Sequence, residues 1–179
     1  MTVWLISANS NTYNHVAAFN KWGYIDWKQS ANYQINDIIY IYATTPDKHI
    51  RFKTQVIKNN MEYSESEDDS EFWIGEKPVN TKYSRLKLIQ RIDTPLLSLE
   101  RLYENGLKQA PQGALKLKGD LLDYIEKSLA VLPQNGINVA KAPLRIFKEN
   151  NKAYYRCPNC KVSFVKAPRC PNCGQLVKE

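Results

Sequence analysis

Ile38-Ile39-Tyr40-Ile41-Tyr42, followed after a short gap by Arg51-Phe52-Lys53-Thr54-Gln55-Val56-Ile57-Lys58, decides the fold class. The first run is short, unbroken and rich in β-branched residues, the pattern of a strand covered on both faces rather than of a helix. The second alternates. Phe52, Thr54 and Val56 fall on one face, Arg51 and Lys53 on the other, as in a half-covered strand. Thr45-Pro46-Asp47-Lys48 supplies the turn between them.

Outward from this pair, Val3-Trp4-Leu5-Ile6 reads as a first strand that breaks at Ser7-Ala8-Asn9-Ser10-Asn11. Thr12 is placed to cap a short helix through Asn20. On the other side, Glu62 to Glu71 holds six carboxylates in ten residues without periodicity and reads as a mobile surface loop with solvated charges. Phe72-Trp73-Ile74 follows it. Tyr83 to Ile92 alternates again, with Leu86 and Leu88 inward and Arg85, Lys87 and Arg91 outward. The remainder turns helical: Pro95 and Ser98 open a helix that Gly106 closes, and Asp120 opens another with Leu121, Leu122, Ile125 and Leu129 on one side. Strand, helix, several strands, then helices is not the alternation of a parallel α/β protein. The expectation is an α+β fold, a small barrel with flanking helices and mixed or antiparallel strands.

Trp22-Gly23-Tyr24-Ile25-Asp26-Trp27 concentrates two of the four tryptophans around a carboxylate. Flat aromatic faces with a fixed acceptor suit a planar polar ring, and Gly23 would let the backbone approach it closely. A core strand whose aromatics only pack gives the same spacing. Ser7 and Asn9 have an equally plain reading as turn and capping residues.

The chain has 179 residues, 25 Lys and Arg against 18 Asp and Glu, and a formal net charge of +7, which suits a polyanionic partner. No apolar run approaches the roughly 18 residues of a membrane span, and the first residues lack a signal-peptide pattern, so cytoplasm is the expected compartment. All four cysteines lie in two knuckles, Cys157-Pro158-Asn159-Cys160 and Cys170-Pro171-Asn172-Cys173. Four thiolates so paired suit tetrahedral zinc, whereas a redox dithiol does not require two near-identical knuckles. Tyr154-Tyr155-Arg156 and Val162-Ser163-Phe164-Val165 would be the strands of a zinc ribbon over residues 152–179, with 133–151 as linker and 1–132 as the main domain. With zinc bound, the net charge would be near +5.

Val3-Trp4-Leu5-Ile6-Ser7, Ile25-Asp26-Trp27, Asn36-Asp37-Ile38-Ile39-Tyr40-Ile41-Tyr42 and Phe72-Trp73 together resemble the EVE domain, of the PUA-like group that includes YTH and ASCH domains. Many EVE domains carry proline at Asn9 or Ser10, and glycine at Asn36. The resemblance implies a compact β-barrel with an aromatic pocket for one flipped base, typically a modified one. Bacterial relatives read modified cytosine for restriction enzymes in which the domain is fused to an HNH nuclease. Trp27 and Trp73 are then the pocket faces, Asp26 the reader of an amine or ring N–H, and Ser7 and Asn9 the rim. Trp22 completes the cage or packs behind it, and Trp4 belongs to the core.

The basic strand faces assign phosphate contacts to Arg51, Lys53, Arg85 and Lys87, with DNA expected ahead of RNA. An HNH site needs a histidine pair near asparagine. The two histidines, His15 and His49, lie far from the knuckles and read as surface residues. The expectation is a reader without catalysis, with any nuclease on a separate chain.

Overall fold

The computed structural model describes residues 1–179 apart from 45, 131–141, 150–151, 159–161, 169, 171–176 and 179. The chain divides into two compact units, Met1–Val131 and Leu132–Glu179.

The first unit is mixed α+β. Its strands are β1 (Val3–Ala8), β2 (Tyr24–Lys28), β3 (Ile38–Ala43), β4 (His49–Met61), β5 (Tyr83–Arg91) and β6 (Leu115–Lys116). They form one sheet in the order β2-β5-β4-β3-β1-β6. The expected barrel is not closed: β2 and β6 are the two edges. β3 lies between β4 and β1 with all six residues buried, as its unbroken apolar sequence requires. β1 runs parallel to β3, while the β3–β4, β4–β5 and β2–β5 pairings are antiparallel. The bend that leads into β3 uses Asn36 at φ 72°, a left-handed conformation that asparagine tolerates in place of glycine. Next to it, Asp37 accepts from the Thr2 and Gln34 amides and the Trp4 indole, tying β1 to the start of β3.

The helices are α1 (His15–Trp22), α2 (Leu99–Glu104) and α3 (Gly119–Ala130). α1 starts two residues later than expected. Asn14 rather than Thr12 caps it, accepting from the Ala17 amide at 3.1 Å, while Thr12 Oγ1 turns back to the Asn9 carbonyl. Gly23 is the left-handed C-cap of α1 at φ 75°, with nothing within 4 Å of an added Cβ, so it serves the chain reversal and no close approach. Ser98 caps α2 as expected. On α3 the buried residues are Ile125, Ser128 and Leu129; Leu121 and Leu122 are only half-buried.

The second unit contains a three-stranded antiparallel sheet, β7 (Arg145–Glu149), β8 (Lys152–Arg156) and β9 (Ser163–Val165), in that order. β7 falls in the stretch expected to be linker. The rest of that stretch is mostly outside the described residues. No helix of the described residues is long and apolar enough to cross a membrane.

Candidate functional site

α1 decides most of the site. Its buried side is His15, Ala18 and Phe19, with Trp22 one turn further on. This i, i+3, i+4, i+7 stripe faces the sheet. His15 is therefore only 4% exposed, and the expectation of a surface histidine is wrong. Its ring lies 4.8 Å from Trp27 and 4.9 Å from Tyr13, centroid to centroid. The His15 backbone N–H donates to the Tyr13 carbonyl at 3.1 Å, and ring Nε2 is buried without a hydrogen-bond partner. Burial lowers the His15 pKa to about 3, so the ring is neutral at physiological pH. His49 is half-buried, with Nδ1 2.8 Å from the Asp47 carbonyl oxygen and Nε2 also without a partner.

Trp27 and Trp73 stack on each other. Their rings are near parallel, 11° apart, with centroids at 5.9 Å. Both are half-buried, and Tyr13 contacts each of them, at 5.4 and 4.9 Å. Two backbone bonds, Asn14 N–H to Phe72 O and Ile74 N–H to Thr12 O, form the antiparallel Tyr13–Trp73 bridge that holds the Trp73 segment to the start of α1. Asp69 fixes the ring orientations. Only 1% exposed, it accepts from the Tyr13 hydroxyl at 2.9 Å and the Trp73 indole at 3.0 Å, and pairs with Lys77 at 2.8 Å. Burial and this carboxylate push the Tyr13 hydroxyl well above the ordinary phenol range, so it remains a donor.

Asp26 does not join the two tryptophans. Adjacent strand residues point to opposite faces, and Asp26 shares its face with Tyr24, not with Trp27. It is 2% exposed. The Arg85 guanidinium donates to both of its oxygens at 2.8 Å, and the Glu67 amide donates a third bond at 2.8 Å. Arg85 also lies over the Tyr24 ring and reaches Glu67, and the Asp26 bonds hold its pKa above the usual arginine value. The carboxylate expected to read a base edge is instead half of a buried ion pair. Trp22 packs: it stacks on Tyr24 and meets Phe72 edge-on. Ser7 is in β1 opposite Tyr42, and exposed Asn9 bonds within its own turn, to the Asn11 amide.

The basic faces are largely internally paired. Arg51 bonds Asp47, Lys53 bonds Glu126 on α3, and Arg85 bonds Asp26 and Glu67. Lys87, opposite Tyr24, is the exposed member of the four. In the acidic stretch Glu62, Glu65, Asp68 and Glu71 are exposed, as expected, but Asp69 is buried and Glu67 half-buried. The stretch contains two 3₁₀ turns, and Glu62, Glu67, Asp69 and Glu71 pair with Lys82, Arg85, Lys77 and Lys21.

A cavity of about 110 Å³ opens beside His15, walled by Tyr13, His15 and Phe52 with Asn14, Asp47 and Arg51 among its polar lining. Arg51 lines it because β4 bulges there: Ile41 pairs with Phe52 but Tyr42 pairs with Ile50, leaving Arg51 unmatched on β3. A bulge of this kind re-aims a side chain. Sequence reasoning missed Tyr13, His15, Asp47 and Asp69. The helical stripe through His15, Phe19 and Trp22 was the available signal for one of them.

In the second unit, Cys157 and Cys170 are both fully buried, in one cluster with Tyr155, Phe164 and Val177. Each knuckle is spanned by a backbone bond, Cys157 N–H to Val162 O and Val177 N–H to Pro168 O. Cys160 and Cys173 lie outside the described residues. Among the described residues no group of three or more metal-ligating side chains occurs.

No family model matches the chain. No curated protein matches it either. Solved structures similar to it include ASCH from Zymomonas mobilis, 14% identical, covering 70% of this chain and 94% of that one with a TM-score of 0.48. Protein Rpa0253 from Rhodopseudomonas palustris is 12% identical over 75% of this chain and 97% of its own, TM-score 0.49. Protein Atu2648 from Agrobacterium tumefaciens is 11% identical over 74% and 97%, TM-score 0.49.

Proposed function

We propose that the chain is a non-catalytic nucleic-acid-binding protein that takes one unstacked base, a modified cytosine of DNA, between Trp27 and Trp73. The observation that carries this reading is the parallel, half-buried pair of indoles. Parallel rings 5.9 Å apart by centroid have planes no further apart than that. A base between them needs about 7 Å, twice the optimal carbon–carbon separation of about 3.5 Å. The pair must therefore part by about 1 Å or more. That loses about 0.5–1.5 kcal/mol of indole–indole interaction. Two new stacking contacts return about 1–3 kcal/mol each. The exchange is favourable, and it leaves a few kcal/mol to offset extrusion of the base from a duplex.

Exposed Lys87 on β5 supplies a phosphate contact, and the positive net charge, +7 by formal count and near +5 with zinc bound, steers the polymer towards the surface. The tail is proposed to hold one zinc ion through Cys157, Cys160, Cys170 and Cys173. Buried sulfurs of two backbone-closed knuckles fit that donor set, and such an ion would substitute for the large core this small unit lacks. The zinc-bound tail then assists with backbone or partner contact, the partner including a nuclease on another chain.

A binding panel of modified and unmodified DNA and RNA oligonucleotides at fixed salt tests the reading. Preference for methylated-cytosine DNA, with quenching of tryptophan fluorescence on binding, is the expected result. Equal affinity for all duplexes without quenching overturns it. Preference for single-stranded RNA with quenching retains the pocket and replaces the polymer.

A further inference from the structure

The two walls of the indole site are held differently. Trp73 is tied at its ring and at its backbone. Its indole nitrogen donates to Asp69 Oδ1 at 3.0 Å, and backbone bonds at Phe72 and Ile74 join its segment to the residues before α1. Asp69 is itself locked. Its other oxygen accepts from the Tyr13 hydroxyl at 2.9 Å, and Lys77, 8% exposed at its side chain, pairs with it at 2.8 Å and also donates to the Glu67 carbonyl. Trp73 can therefore shift only by giving up a bond to a buried carboxylate or by carrying Asp69 and Tyr13 with it. Leaving a buried charge short of a donor is costly. Trp27 stands on β2, an edge strand paired on one side only, to β5. Among the described residues no hydrogen bond engages its indole nitrogen, which is open to water. Ring contacts with Tyr13, His15 and Trp73 hold it, and the one with Trp73 is replaced, not lost, when a base enters.

We propose that the site opens on one side only: Trp73 is its fixed wall, Trp27 turns about its side-chain torsions to admit the base, and Asp69 is the positioning residue that keeps Trp73 and Tyr13 in place. The inference rests on the indole pair being the base site. Side-chain rotation with the backbone at rest is a common adjustment at binding surfaces. A wall set in advance lowers the ordering cost of binding, because one of the two rings is already where the base requires it. The Trp73 N–H, spent on Asp69, is then no donor to the base.

The test is hydrogen–deuterium exchange of the indole N–H groups, followed by ¹H–¹⁵N NMR of the full chain, free and saturated with a single-stranded DNA oligonucleotide that contains methylated cytosine. In the free protein the Trp73 N–H is expected to exchange roughly 10- to 100-fold more slowly than that of Trp27. With the oligonucleotide bound, Trp73 should keep that protection while the Trp27 resonance shifts. Equal exchange in the free protein, or loss of Trp73 protection on binding, overturns the fixed wall while leaving the indole site standing. Binding that moves neither indole resonance overturns the indole site and the one-sided opening with it. Asp69→Ala should weaken the oligonucleotide roughly 2- to 10-fold, the ordering of one side chain. Asp69→Asn, which retains an acceptor for the indole, should recover most of that loss; thermal unfolding verifies that both variants are folded at the assay temperature. Equal weakening by the two folded variants overturns the positioning role.

Discussion

Replacing Asp26 with asparagine separates the two roles that a carboxylate between aromatics can have. A base reader would change its preferred base and keep its stability. The structure assigns the other outcome. Asp26 accepts three bonds of 2.8 Å, two from Arg85 and one from the Glu67 amide, and both partners of the ion pair are largely withdrawn from water. Asparagine keeps one acceptor and turns an NH2 group towards donors. At least one charge-assisted bond is lost, worth about 1.5–3 kcal/mol. The guanidinium keeps only Glu67, at 3.1 Å and partly exposed. Removing one partner of a buried pair costs about 3–5 kcal/mol in total. For a unit of this size that lowers the melting temperature by roughly 10–20 °C. Urea and thermal unfolding of parent, Asp26→Asn, Arg85→Gln and the double variant form the assay. The double variant should recover part of the loss, because neither charge is then left buried alone. An Asp26→Asn protein within about 1 kcal/mol of the parent, with altered base preference, would refute this account.

Trp27→Ala should weaken binding of the preferred oligonucleotide roughly 5- to 150-fold, the loss of one stacking face, and leave the salt-sensitive component intact. Unchanged affinity in the folded variant removes the indole site. Lys87→Gln should weaken every oligonucleotide alike and reduce the salt slope by about one; selective loss for one sequence would make Lys87 a base reader. Elemental analysis should find about one zinc per chain, and Cys170→Ser should release it and unfold the second unit while the first stays folded; metal-free protein with a structured tail contradicts the zinc site. Stability should also depend on pH through His15, whose folded pKa is about 3 against 6.5 unfolded. Between these values the unfolded chain binds the extra proton. The contribution is complete above pH 6.5 and is lost below it at up to about 1.4 kcal/mol per unit. His15→Phe should flatten that part of the unfolding profile, and an unchanged slope would place the titration elsewhere.

The sequence by itself determined β1, β3, β4 and β5 and the faces of the last two. An unbroken apolar run gave β3 its interior place, and alternation gave β4 and β5 an inner and an outer side, because a period of two is a local property of the extended chain. Ser98 was legible for the same reason: capping is settled within a few residues. Alternation cannot say what covers the second face. Here Glu67 of the acidic stretch closes over the Asp26–Arg85 pair, its amide bonding Asp26 and its carboxylate Arg85, so that arginine is an internal ion pair and not part of a basic surface. The same packing brought Asp69, 56 residues from Tyr13 in sequence, to the hydroxyl that it accepts from. Barrel closure depended on whether the edge strands meet, and β2 and β6 do not. The burial of His15 needed both kinds of information. Its place in the helical stripe was written in the sequence, but its bare nitrogen and the cavity beside it arise only where α1 meets the bulged strand β4.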